Sequence, residues 1–232
     1  MQWLSSLGEA ASQLFFPHHC AVCGTDTLNQ DTELCWHCLG SLPSTHFASV
    51  PTNPLEKIFW GRLPVHAATA LYFYTQGSLL QKAMHAFKYH RNKKLGIQLG
   101  RLLGENLLRS GRFQADILIP VPLHPRKEKQ RGFNQAAVIC EGISQVMKIP
   151  FQEGILQRPA PSTTQTNKSR IERWENIEGN FSVTNPSAIE GKHCLLVDDV
   201  ITTGATLEAC GSTLLNASSV KISIASLGTA SQ

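Results

Sequence analysis

The chain has 232 residues, 42% hydrophobic and 16% charged, with a formal net charge of +4. That length serves one well-buried domain, or one domain with a small appendage, and the ordinary apolar content excludes a disordered chain. No run approaches the ~18 apolar residues of a bilayer-spanning helix, and the first 16 residues hold no Lys or Arg, which speaks against a secretory signal and for a cytoplasmic location.

In chain order, Trp3, Leu4, Leu7, Ala11, Leu14 and Phe15 have helical spacing, and the helix predicted over 3–15 ends before Pro17. Cys20, Cys23, Cys35 and Cys38 follow as two Cys-x-x-Cys pairs. Two such knuckles can turn four thiolates toward one tetrahedral Zn²⁺. Gly24 supplies the permissive backbone that a knuckle needs. Two disulfides or a redox pair are the alternatives, and the odd total of seven cysteines argues against the disulfides. A closed four-thiolate shell leaves no open position for a substrate, so the zinc is expected to be structural. Residues 1–50 hold four acids and no Lys or Arg, so the module is expected to dock on something else, such as the basic block described next. Cys140, Cys194 and Cys210 sit in apolar contexts and read as buried small hydrophobes.

Residues 46–66 contain Pro51, Pro54, Gly61 and Pro64 and read as a connector. A strand is expected over Ala67–Tyr74 and one or two helices over 77–110. Ile117–Val121 reads as a short strand, and Gln135–Met147 as a helix with Ala136, Cys140, Ile143 and Met147 inward. Residues 82–131 hold 12 Lys and Arg against three acids, so the rest of the chain is net negative. A block of this kind implies a polyanionic partner; a solvated helix face is the alternative. Residues 158–176 are polar and charged. A buried strand over His193–Val197, a helix from near Thr206 and a strand over Val220–Leu227 complete the chain. Strands alternating with helices from residue 67 onward indicate an α/β fold, a parallel sheet covered on both faces.

The chemistry concentrates between Leu195 and Leu207. An apolar strand delivers Asp198 and Asp199 at its carboxyl end, where open parallel sheets bind ligands. The loop Thr202, Thr203, Gly204, Ala205, Thr206 then opens a helix. Free N–H groups and threonine hydroxyls at a helix start form a phosphate cradle, and Gly204 allows close approach. The two carboxylates suit the hydroxyls of a ribose, so the residues read as a ribose-5-phosphate site. A surface Asp-Asp turn with a Thr-rich cap is the bland alternative.

This segment resembles the 5-phosphoribosyl-1-pyrophosphate (PRPP) signature of type I phosphoribosyltransferases. A second stretch, Ile119-Pro-Val-Pro-Leu-His-Pro-Arg126 followed by Arg131-Gly-Phe-Asn-Gln135, resembles the ComF family, also named GntX-like. Arg158, Ser162, Gln165, Ser169, Arg173 and Asn176 before Phe181 resemble that family's flexible segment, with Lys168 and Ser162 departing from its usual leucine and threonine. The resemblance implies a Rossmann-like type I phosphoribosyltransferase sheet over 67–232 behind a four-cysteine zinc-ribbon module and connector over 1–66. It implies a PRPP ligand with Mg²⁺, Asp198 and Asp199 on the ribose, and a role in DNA uptake or DNA utilisation alongside the DNA-uptake machinery. Lys88, Arg126, Arg131, Arg158 and Arg173 are the candidates for clamping pyrophosphate, from the sheet edge or from a lid. Alternatives are an active phosphoribosyltransferase with an unidentified acceptor and a single-stranded nucleic-acid-binding protein. Whether the protein is an enzyme stays open at this point.

Overall fold

The structure, a computed structural model, describes residues 18–26, 32–158 and 181–230. The helix predicted over 3–15 lies outside these residues, as do Ser162, Gln165, Lys168, Ser169, Arg173 and Asn176.

Short runs rich in Ile, Leu, Val and Ala form four parallel strands: β1 (Ala67–Tyr74), β2 (Ile117–Pro120), β5 (His193–Ile201) and β6 (Lys221–Ala230). Their order across the sheet is β1-β6-β5-β2. A two-stranded antiparallel ribbon, β3 (Leu156–Gln157) with β4 (Ser182–Val183), stands apart from the sheet. Because side chains alternate along a strand, each one feeds two cores. Leu118, Leu195, Val197, Ala225 and Leu227 enter one core. Ile119, Cys194, Leu196, Ile222 and Ile224 enter the other. Strands buried on both faces explain why they read as continuous apolar runs.

Helix α1 (Trp36–Gly40) belongs to the amino-terminal cysteine module, and Cys35 caps its start. The first face of the sheet is covered by α3 (Leu79–Tyr89), α4 (Lys93–Ser110) and α6 (Gln135–Met147). The apolar stretch over 77–110 is thus two helices, each opened by a side-chain cap, Ser78 on Gln81 N–H and Asn92 on Leu95 N–H. Helices α4 and α6 meet through glycines. A Cβ on Gly100 would lie 2.4 Å from the Ile139 carbonyl oxygen, and one on Gly142 would lie 2.3 Å from that of Ile97.

The second face carries α7 (Ala205–Ala217) and the segment expected as a connector. That segment contains α2 (Pro54–Ile58), capped by the Asn53 side chain on the N–H groups of Leu55 and Glu56. Leu55, Phe59 and Leu63 are buried there against the sheet and α7. The stretch after Pro122, for which no element was expected, forms α5 (Pro125–Arg131). Pro125 at its first turn and the His124 ring accepting from Arg126 N–H start the helix, and Gly132, with φ 82°, ends it.

Both edges of the sheet are occupied. Beside β1, Thr45 N–H bonds Leu71 O and Phe73 N–H bonds Pro43 O. Beside β2, Leu118 N–H bonds Pro150 O and Gln152 N–H returns to Leu118 O.

Candidate ribose-phosphate site and metal centre

Strand β5 continues four residues past its predicted end at Val197, so Asp198 and Asp199 lie within it. Consecutive strand residues point to opposite faces. Asp199 faces α3, where Lys88 Nζ lies 2.7 Å from its carboxylate, both side chains being 18% exposed. Asp198 turns toward the α7 side, and its carboxylate accepts the Asp199 N–H at 2.8 Å. Burial and the neighbouring Asp199 charge push Asp198 up to about 7, against the pull of that N–H and of Lys88. The thiol of Cys210 on α7 is held up by burial and by the Asp198 charge.

Past Ile201 the chain turns through Thr202 and Thr203 to Gly204, which has φ +76° and caps α7. Asp198 and residues 200–207 enclose a small cleft of about 40 Å³ at the carboxyl end of β5. Its walls are threonine hydroxyls and backbone at a helix start, with Asp198 as the one titratable group. An anion of phosphate size can meet N–H donors and the positive end of α7 there.

Connector residues complete the outer wall. A Cβ on Gly204 would sit 3.0 Å from the Phe59 ring and 3.2 Å from Ile58 Cγ2. Arg62 donates to the Thr203 carbonyl at 3.1 Å, to Ile58 O at 3.2 Å and through Nε to Glu208 at 3.0 Å. Sequence reasoning missed Phe59, Arg62 and Glu208. Arg62 lies 141 residues from Thr203, and no local pattern marks that contact.

The other candidate cations divide. Arg131 bonds Gln135 at 2.6 Å and stacks over Tyr89 at 5.8 Å. Arg126 is exposed on α5. Arg158 stacks over Phe181 at 5.3 Å, at the two ends of the undescribed 159–180 segment. Arg158 also borders a second cleft, of about 260 Å³, between the turn after β2 and the β3–β4 ribbon. Arg173 lies outside the described residues.

At the amino-terminal end, the sulfurs of Cys20, Cys23, Cys35 and Cys38 all lie within 4.8 Å of one another. Cys23 and Cys35 Sγ are 3.6 Å apart, the spacing that two ligands ~2.3 Å from one tetrahedral Zn²⁺ require. Gly24, with φ 75°, lets its N–H return to Cys20 O. Burial raises the Cys20 thiol, but N–H groups of the knuckle outweigh it and bring the pKa down to about 6. N–H donors on sulfur favour thiolate, the form a metal takes. The cluster can therefore hold a zinc ion with a closed shell.

The module docks on the start of α4, within the basic block. Glu33 accepts from Asn92 Nδ2 at 2.6 Å, and its N–H bonds Gln98 Oε1 at 2.8 Å. Among the described residues no helix is long and apolar enough to cross a membrane.

Comparison with known proteins follows the same outline. Residues 134–231 match the family model of the phosphoribosyl transferase domain. The DNA utilization protein YhgH of Shigella flexneri is 31% identical over 201 residues, spanning 84% of this chain and 83% of that protein. Competence protein F of Haemophilus influenzae is 36% identical over 93 residues, 40% of this chain and 41% of its own. Among solved structures, a glutamine PRPP amidotransferase from B. subtilis is similar at 22% identity and TM-score 0.39, over 56% of this chain and 25% of that one.

Proposed function

The chain belongs to the ComF/YhgH family, built on a phosphoribosyltransferase domain with an amino-terminal four-cysteine cluster, and from that premise we propose that it binds PRPP or a related phosphoribosyl ligand in a DNA-uptake or DNA-utilisation role. One observation carries the reading: a threonine-lined cradle at the start of α7 is bordered by Asp198, the first of two consecutive strand-borne carboxylates. A 5-phosphate takes the loop N–H groups and the hydroxyls of Thr202, Thr203 and Thr206. Ribose hydroxyls donate to Asp198 and Asp199, and Lys88 Nζ pairs with the Asp199 carboxylate at 2.7 Å.

Arg126, Arg131, Arg158 and Arg173 are the candidates for the pyrophosphate clamp. Mg²⁺, where bound with the ligand, would supply charge neutralisation to the pyrophosphate. The zinc centre contributes structure. The site belongs in the cytoplasm.

Calorimetry with PRPP tests this. The wild-type chain is expected to bind, and the double variant Asp198→Asn, Asp199→Asn to lose at least about tenfold in affinity, as expected for two charged acceptors removed. Equal affinity in both sinks the site assignment. Pyrophosphate release in the same samples, across a set of acceptors, decides whether turnover accompanies binding.

A second reading rests on the surface beside Lys88. Tyr89 is 57% exposed under the Arg131 guanidinium, and Arg91, Lys93 and Lys94 follow it in the chain, with Arg126, Lys127 and Lys129 exposed on α5. Cations around a stacking face suit single-stranded nucleic acid. A steep salt dependence of single-stranded DNA binding, flattened in Tyr89→Ala with Arg131→Gln, is the expected outcome; salt-independent binding removes the reading.

A further inference from the structure

We propose that Arg62 is a positioning residue for the phosphate loop, holding the Thr203–Gly204 peptide so that its N–H faces the cradle. The inference rests on the phosphate-site reading above and names a residue outside the loop on which that site depends.

A trans peptide is planar, and its C=O and N–H point in opposite directions. Arg62 draws the Thr203 carbonyl outward, toward the connector, at 3.1 Å. The N–H of Gly204 is thereby aimed the other way, into the loop, and it meets no acceptor among the described residues. This peptide needs an external hold because its second residue is glycine at φ +76°, where inversion of the peptide plane is cheap. Nothing in the loop itself forbids the inverted state, which would present a carbonyl oxygen to the phosphate.

The hold has two further anchors. Arg62 also donates to Ile58 O in the connector and to Glu208 on α7. The planar fork of a guanidinium can satisfy all three acceptors at once; an ammonium has no such fixed geometry. Phe59 and Ile58 fill the space where a side chain on residue 204 would stand, and so back the same peptide from behind. The Arg62–Glu208 pair is neutral as a unit and adds little net field at the anion site. Its contribution is therefore the direction of a donor rather than attraction of the ligand. Glu208 alone, in the first turns of α7, would oppose a phosphate.

The test uses ribose 5-phosphate, by calorimetry and by the amide NMR shift of Gly204, on the full chain. Four proteins are compared: wild type, Arg62→Gln, Glu208→Gln, and both together. Wild type is expected to bind with a downfield shift of the Gly204 amide. Arg62→Gln is expected to bind about tenfold more weakly and to lose that shift. Glu208→Gln keeps the Thr203 contact and is expected to bind no more weakly than wild type. The double variant is expected to stay as weak as Arg62→Gln. If it regains wild-type affinity, Arg62 merely neutralises Glu208 and the proposal is overturned; wild-type affinity in Arg62→Gln overturns it equally. Absence of binding by the wild type removes the phosphate site and this inference together. The Arg62 side chain is 36% exposed, so its substitution is compatible with folding. Should Arg62→Gln nonetheless fail to fold, Arg62→Lys carries the same test: weaker binding with the shift lost supports the proposal, and wild-type affinity overturns it.

Discussion

Asp198 is a strained carboxylate. Its pKa in the fold, about 7, lies above the 3.8 of a free side chain. Between those values the folded chain holds a proton that the unfolded chain releases, so this stabilisation is full below about 4 and lost as pH rises through 7. Above pH 7 the fold carries a desolvated charge. Asp198→Asn keeps an oxygen for the Asp199 N–H and removes that charge. Thermal melts of the ligand-free chain are expected to show Asp198→Asn more stable by several degrees at pH 8, on a scale of about 2–4 °C per kcal/mol, with a clearly smaller gain at pH 5. His193 is held neutral by burial and costs stability as pH falls, but both proteins share it, so their difference isolates Asp198. A gain equal at both pH values would show that charge is not the cause. The acids themselves were readable from the sequence. Their opposite directions were not, because the end of β5 is fixed by its pairing with β6, where Ile201 faces Thr229. Lys88 was readable as a cation near the site, but its seat on Asp199 comes from the packing of α3.

At the level of elements, local signals served well where the chain obeys them. Ala67–Tyr74 and Gln135–Met147 have the bounds that their patterns and flanking residues imply. Helix α5 escaped because its seven residues are all polar apart from Pro125, and it carries no apolar periodicity. The connector escaped for another reason: Leu55, Phe59 and Leu63 are too few and too irregular to announce burial, and only the sheet face makes them core. The glycines of α4 and α6 also look like weak helix formers until the two helices are seen together. There they set the approach of the backbones. Gly142→Ala puts a methyl against the Ile97 carbonyl and the Arg101 N–H, and backbone cannot step aside. Denaturant melts are expected to show a loss of about 1–3 kcal/mol, typical of an overfilled core. An exposed-site glycine such as Gly40, with nothing within 4 Å, is the control and is expected to be insensitive.

Over the whole molecule, the net charge of +4 averages an acidic four-cysteine module and a basic band that touch at Glu33, Asn92 and Gln98. Asn92 serves both sides: its Oδ1 caps α4 and its Nδ2 holds Glu33. The seven cysteines divide between the two parts, four around the metal position and three buried at the sheet. Thiol titration reads that division directly. Metal-loaded chain is expected to expose few reactive thiols, a chelator to release about four, and denaturant to release the remaining three, since a metal-held thiolate is shielded until the ion leaves. Four thiols reactive without a chelator would show that the cluster holds no metal.

The two occupied sheet edges govern how copies of this chain can meet. A parallel sheet with bare outer strands offers a row of unpaired amides to any passing strand. Here Pro43–Thr45 closes one border and Pro150–Gln152 closes the other. Each closing segment begins with a proline, which has no N–H to extend the ladder further. Self-association by adding strand to strand is thus blocked at both borders, and fibre-like growth with it. Among the described residues, assembly is left to helices, loops, the β3–β4 ribbon and the four-cysteine module, surfaces that a partner can recognise by side chain.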